Sequence, residues 1–260
     1  MMFHVKQFHN LKEYADNNGL FLTEKEMNQF QRFSNLLIDT NKSMNLTAID
    51  QPEEIETKHF IDSISAAPII NRLWSESIIG DAKGIITQDA GFRLVDVGTG
   101  AGFPGIPLKI IFPKAEFLLL DSLEKRVGFV KNVIVELQLE NIKAEAGRVE
   151  DIAKVGSVSR ETFDFCVTRA VANMAVLAEY CLPLVRVAGY CILYKSGNFE
   201  QELKEAEKAI QTLGGKVVDV IESNLYGTDA SRSLIIIRKI KAAPDKYPRR
   251  PGKPSKSPIK

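Results

Sequence analysis

The run Val95-Asp96-Val97-Gly98-Thr99-Gly100-Ala101-Gly102-Phe103-Pro104-Gly105 carries the strongest chemical signal in the chain. An apolar stretch precedes it and a helical pattern follows. Its glycines therefore fall at a strand-to-helix turn, where they let the backbone fold tightly and let a ligand come against the main chain. The spacing is G-x-G-x-G. A dinucleotide site would want glycine or alanine where this chain has Phe103, and Pro104 and Pro107 remove N–H groups from the helix start that would cradle a pyrophosphate. A nucleoside ligand without a pyrophosphate fits better, and S-adenosylmethionine is such a ligand. On that reading Gly98, Gly100 and Gly102 are ligand-related, and Asp96 can face the ammonium of the methionine part.

Other residues stand where such a ligand needs them. Asp121 ends the next apolar run, the usual place for a carboxylate that accepts both ribose hydroxyls. Arg148-Val149-Glu150-Asp151 follows the third run, at the edge where an adenine would lie. Arg169 ends the fourth, to hold a cofactor, an RNA or a structural ion pair. Lys195 ends the fifth, to meet a phosphate as a point charge or to snorkel. His59 and Asp62 share a helix face at i,i+3, either as a hydrogen-bonded docking pair or as the border of a base pocket.

The elements that must position these residues follow from periodicity. Thr23 and Glu26 make a capping box, and Met27, Phe30, Phe33, Leu37 and Ile38 make the apolar stripe of a core helix expected to end near Asn41. A second helix starts at Pro52, and residues 74–91, with three glycines and no clean period, read as a loop. From residue 92, five apolar runs (92–98, 115–122, 142–147, 163–169 and 189–196) alternate with helical segments. That pattern predicts a parallel sheet covered on both faces. Residues 216–225 and 231–240 have no helix between them and predict an antiparallel hairpin at the sheet edge. The division is thus a helical N-terminal extension (1–73), a loop (74–91), an α/β domain (92–243) and a tail (244–260).

Charge is unevenly spread along this outline. The chain has 260 residues and a formal net charge of +1, but residues 231–260 hold ten basic residues against one acidic, leaving a balance of −8 on residues 1–230. The tail holds five prolines and six basic residues, and is expected to be extended and solvent-borne. Lys246, Arg249, Arg250, Lys253 and Lys256 make it a candidate nucleic-acid contact. No stretch approaches the roughly 20 apolar residues of a membrane span, and the start has no apolar signal region. Cys166, Cys181 and Cys191 match no zinc or redox spacing, and three apolar-flanked thiols suit a reducing cytosol. The three histidines are too scattered for a metal site.

The segments NLTAI (45–49), HFIDSI (59–64), LVDVGTGAGFPGIPL (94–108), LLDSLEKRVGF (119–129), GRVED (147–151), VTRAV (167–171), YKSG (194–197) and the tail KYPRRPGKPSKSPI closely resemble the ribosomal RNA small-subunit methyltransferase G family, formerly called glucose-inhibited division protein B. The resemblance implies a class I, Rossmann-like methyltransferase with a mostly parallel seven-stranded sheet, an antiparallel terminal hairpin and a helical extension. It implies methylation of guanine 527 of 16S rRNA at N7, with S-adenosylmethionine contacts at Gly98, Phe103, Val149, Glu150 and Arg169 and with Asp121 on the ribose. It further implies a cytoplasmic, monomeric enzyme acting on the small ribosomal subunit.

The residues after the fourth run agree with that chemistry. Val167-Thr168-Arg169-Ala170-Val171 holds neither the Asn/Asp-Pro-Pro-aromatic turn of exocyclic-amine methylation nor a Pro-Cys nucleophile. Guanine N7 loses no proton on attack, so positioning can supply much of the acceleration and no catalytic base is expected. His59, Asp62 and Lys195 are then positioning candidates only. Rival readings are a small-molecule methyltransferase on the same fold, which leaves the basic tail unexplained, a nicotinamide-dependent oxidoreductase, and a non-catalytic RNA-binding protein.

Overall fold

The near-continuous apolar runs form the strands that doubly covered burial requires. In the computed structural model, which describes residues 8–79, 91–169, 172–197 and 199–260, these are β1 (Arg93–Val97), β2 (Glu116–Asp121), β3 (Ile142–Ala146), β4 (Phe163–Thr168) and β5 (Val185–Ser196). They pair in parallel, and β6 (Gly215–Asn224) and β7 (Ser231–Lys239) complete a seven-stranded sheet of order β3-β2-β1-β4-β5-β7-β6. The terminal hairpin is present, with β7 lying between β5 and β6 and antiparallel to both. Strand order reverses between β1 and β4, so the crevice for a ligand opens at the carboxyl ends of those two strands. There the Thr168 hydroxyl donates to the Val97 carbonyl at 2.7 Å and fixes the two strand ends together.

Alternation along each strand divides the core in two. Leu94, Phe117, Leu119, Phe165, Val167 and Ile192 face one layer, and Val95, Leu120, Cys166, Cys191 and Leu193 face the other. The first layer is built by α1 (His9–Asn17), α2 (Glu24–Met44) and the irregular helical run α3 (Pro52–Glu54), a π-helix (Ile55–Ile61), α4 (Asp62–Ile64) and α5 (Ala67–Ile79), together with α6 (Gly105–Ile111) and α7 (Glu124–Glu136). The second is built by α8 (Val149–Ile152), α9 (Met174–Cys181) and α10 (Glu200–Thr212). The three cysteines are free and buried in this second layer, their Sγ atoms all within 4.8 Å of one another.

The helical extension follows the pattern of its sequence with two corrections. The capping box on Thr23 and Glu26 starts α2, and Phe30, Phe33 and Leu37 are fully buried. The helix runs past Asn41 to Met44, where Asn45 enters the left-handed region at φ 49°, and Asn41 Oδ1 accepts the N–H groups of Leu46 and Thr47 to close the turn. The loop expected from residue 74 begins later. α5 continues to Ile79, with Trp74 packed edge-on against Phe92 at 5.6 Å. Residues 80–90 of that expected loop lie outside the described residues, as do Ala170 and Val171.

The expectation of an extended, solvent-borne tail is also corrected. Pro254 is buried, Tyr247 and Ile259 pack on the second core layer, and a short helix, α11 (Lys253–Lys256), follows a left-handed Gly252. A basic, proline-rich composition forbids a core of its own. It does not forbid docking, and here a buried carboxylate on α9 provides the anchor, as described below. Among the described residues, no helix is long and apolar enough to cross a membrane.

Candidate cofactor and acceptor site

Glycines 98, 100 and 102 all sit at positive φ (76°, 59° and 97°), so the turn after β1 depends on their lack of a side chain. The N–H groups of Gly98 and Thr99 both donate to the Leu120 carbonyl, and those of Gly102 and Phe103 to the Thr99 carbonyl. The loop is thereby folded onto the end of β2. At Gly100 a Cβ would meet open space, whereas at Gly102 it would press on Ile106 at 2.7 Å. Gly100 therefore faces a cavity and Gly102 packs inward.

That cavity has a volume of about 420 Å³ and is lined by Gly98 to Ala101, Phe103, Asp121, Ser122, Arg126, Gly147 to Glu150, Arg169, His59, Thr47 and Tyr180. Its size falls in the range of small-molecule sites. Asp121 is buried at the end of β2, with Oδ2 accepting from the Gly100 N–H and Oδ1 from the Leu123 N–H, both at 2.9 Å. Val149 and Glu150 open α8 on the neighbouring wall. The structure thus brings Gly98, Gly100, Phe103, Asp121, Val149, Glu150 and Arg169 together around one space.

Asp96 and Gly102 are placed elsewhere. Val95 and Val97 point to the second core layer, so Asp96 between them points to the first, beneath the loop. Its Oδ2 accepts the Gly105 N–H at 2.9 Å, and a Cβ on Gly105 would collide with Leu119 and Asp96. Burial pushes the Asp96 pKa up to about 7, with the Thr99 hydroxyl and the Gly105 N–H opposing the rise. Asp96 braces the loop from below and is not a cavity wall.

Three distant segments meet at the cavity's inner edge. The His59 ring stacks on Phe103 at 4.3 Å and 15°, and the Arg169 guanidinium lies over the same ring at 5.2 Å. Phe103 is backed by Phe33 of α2 at 5.1 Å. Arg169 Nη1 donates to Asp62 Oδ2 at 2.8 Å and to the Lys58 carbonyl at 3.2 Å, and Nη2 lies 3.2 Å from His59 Nδ1. A guanidinium can only donate, so Nδ1 is the acceptor and the imidazole proton sits on Nε2, which donates to the Thr47 hydroxyl at 2.9 Å. Burial first, then the Arg169 charge, lowers the His59 pKa to about 3. His59 and Asp62 are therefore not paired with each other, as their i,i+3 spacing suggested. Both are joined through Arg169.

A second cavity, about 440 Å³, lies behind this wall and shares His59 and Arg169 with the first. Lys58, Asp62, Tyr194, Lys195, Ser196, Glu202 and Arg232 complete its lining. Asp62 Oδ1 accepts from Arg232 Nε at 2.9 Å, so one buried carboxylate holds two arginines. Lys195 is not a free point charge, because its ammonium pairs with Glu202 at 2.8 Å. Arg232 was missed by sequence reasoning, since it reaches the site only through the pairing of β7 with β5, opposite Ser196. Thr47 lies within NLTAI and Lys58 directly before HFIDSI, and neither has chemistry of its own to single it out.

The model of the family described as rRNA small subunit methyltransferase G matches residues 26–229. This chain belongs to that family. A ribosomal RNA small subunit methyltransferase G from Acetivibrio thermocellus is 45% identical over 249 residues, which is 96% of this chain and 95% of that protein. One from Clostridium botulinum is 44% identical over 255 residues, 98% of this chain and all of that protein. Among solved structures, a SAM dependent methyltransferase from Aquifex aeolicus matches with a TM-score of 0.50 at 16% identity, over 74% of this chain and 96% of that one. The likeness extends to the fold, the α/β architecture of S-adenosylmethionine-dependent methyltransferases with added N-terminal helices. The methyltransferase G relatives match nearly the whole chain, 98% of it in the Clostridium botulinum protein, and the family model covers the glycine-loop cavity and α2 to β6.

Proposed function

We propose that this chain transfers a methyl group from S-adenosylmethionine to N7 of guanine 527 in the 16S rRNA of the small ribosomal subunit, acting in the cytoplasm as a monomer. The observation that carries the reading is the pair of cavities on either side of the His59–Arg169–Phe103 wall, where His59, with both ring nitrogens engaged, is not a free base. The residues fit the cofactor. Asp121 keeps acceptor capacity beyond its two backbone donors for ribose hydroxyls, Gly100 leaves room for close approach, and Val149 and Glu150 face the position of an adenine. When bound, the cofactor supplies a methyl group on a positively charged sulfur, open to in-line attack.

The protein's own part is positioning. Both His59 nitrogens are engaged, and with its pKa near 3 the imidazole neither takes nor gives a proton at neutral pH. That agrees with an acceptor nitrogen that has a lone pair and loses no proton. Arg169, held by Asp62 and stacked on Phe103, fixes the wall between methyl donor and acceptor. Cations around the second cavity and on the tail can meet RNA phosphates. Lys246, Arg250 and Lys253 are exposed, whereas Arg249 and Lys195 reach RNA only by giving up Glu179 and Glu202. We assign the N-terminal helices through α5 to the extension, 92–243 to the methyltransferase domain and the exposed face of 244–260 to RNA contact.

The test is transfer of a labelled methyl group from S-adenosylmethionine to small subunits and to free 16S rRNA that lack the modification. Label appearing in N7-methylguanine supports the reading. Transfer to a small metabolite with no incorporation into either RNA substrate overturns it.

A further inference from the structure

The cavity wall at α8 and α9 is made of short pieces. α8 has four residues and follows β3, the edge strand of the sheet, and a single turn does not hold its own position in water. Yet α8 brings Val149 and Glu150 to the cavity, and α9 brings Leu177 and Tyr180. The C-terminal segment grips both.

Three anchors do this. On α9, Glu179 is fully buried, and among the described residues its hydrogen-bond donors all belong to Arg249: the backbone N–H at 2.8 Å, Nε at 2.9 and 3.1 Å, and Nη2 at 2.6 Å. Glu179 directly precedes Tyr180. On α8, Glu150 Oε1 accepts the N–H of Gly252 at 3.0 Å, from a left-handed turn at φ 80°. Glu150 and Ser255 adjoin the Tyr180 hydroxyl. At the far end of α8, Arg160 Nη1 donates both to the Ala153 carbonyl at 3.0 Å and to the Tyr247 carbonyl at 2.8 Å, and Nη2 donates to Ala243 at 2.9 Å. Pro254 of the same segment is buried, while its neighbours Lys253 and Lys256 are exposed.

We infer that the C-terminal segment buttresses the α8–α9 wall of the cofactor site from behind, with Arg249 and Gly252 as positioning residues for Glu150 and Tyr180. A buried carboxylate that loses its fork of donors must draw in water or a proton. Undocking the tail therefore reorganises α9 and frees α8 together. Cofactor affinity then rests on the tail. By reciprocity, cofactor binding holds the tail down. The inference rests on the reading that this cavity takes S-adenosylmethionine.

The experiment uses the full chain without RNA. Calorimetric titration with S-adenosylmethionine compares the unaltered protein with Arg249→Ala, Arg249→Lys and Lys260→Ala, the last removing a tail charge outside the three anchors. Arg249→Ala weakens binding by about tenfold or more. Arg249→Lys, which keeps the charge and loses the fork, recovers part of it, and Lys260→Ala binds as the unaltered protein does. In parallel, amide hydrogen exchange on the unaltered protein shows residues 247–257 slowed by saturating cofactor, a readout that stands even if Arg249→Ala does not fold. Cofactor affinity in a folded Arg249→Ala within about twofold of the parent overturns the inference, and so does tail exchange indifferent to cofactor. If the unaltered chain binds no S-adenosylmethionine, it is the cofactor reading that fails.

Discussion

Asp62 and His59 carry the clearest predictions at the scale of single residues. Asp62 is 7% exposed and holds Arg169 and Arg232 at once, so Asp62→Ala leaves two cations without a carboxylate. Breaking a buried pair by removing one partner costs about 3–5 kcal/mol, and denaturant unfolding of the variant is expected to show a loss in that range. His59 has a folded-state pKa lowered to about 3 against an ordinary value of 6.5. Between those values the unfolded chain binds the proton and the folded chain does not. The stability from a neutral His59 is therefore complete above about pH 6.5 and is lost as pH falls toward 3. NMR should find the ring neutral, with its proton on Nε2, down to pH 5, and His59→Gln should flatten the acid limb of the melting-temperature profile. A ring protonated at pH 6 would contradict the buried, Arg169-facing geometry.

The elements explain why some of the site was legible in the sequence and some was not. The glycine loop, Asp121 and the run Arg148 to Asp151 could be placed at one sheet edge because each depends on local order, a strand end followed by a turn, whereas Val149 and Glu150 in particular came from the family resemblance. The wall of Phe103, His59 and Arg169 could not, because it joins three segments through the π-helix, the loop and the end of β4, and i,i+3 spacing alone suggested a direct His59–Asp62 bond. The end of α5 was misplaced because Ser75, Glu76 and Ser77 dilute an apolar period that the chain keeps to Ile79. The tail's docking is invisible to its composition, because the partner that anchors it lies about 70 residues away on α9. The signal was Glu179, a carboxylate within the apolar run AVLAEYCLPLV, which a buried helix cannot leave unpaired. At this scale the helical extension is part of the site, because Phe33 of α2 stacks under Phe103. Phe33→Ala should cost about 3–5 kcal/mol by unfolding measurements, since the site is fully buried. It should also weaken S-adenosylmethionine binding in titration. A variant with full cofactor affinity would separate the extension from the site.

Across the whole molecule, the net charge of +1 conceals an acidic body and a basic C-terminal end. The structure refines that division, because the tail has two sides. Arg249 and Pro254 face inward, and Lys246, Arg250, Lys253 and Lys256 face solvent. Replacing Arg250 and Lys253 together by alanine should weaken binding to small subunits and lower the salt dependence of that binding by up to about two phosphate contacts. Measured as the slope of log affinity against log salt, an unchanged value would remove the outer face of the tail from the RNA interface. The central claim, methyl transfer to N7 of guanine 527, is tested most directly by mass spectrometry of the 16S rRNA fragment containing that base. The fragment would come from a strain lacking this protein and from the same strain given the gene back. N7-methylguanine absent from the first and restored in the second is the expected result, and its persistence in the strain without the protein would contradict the account.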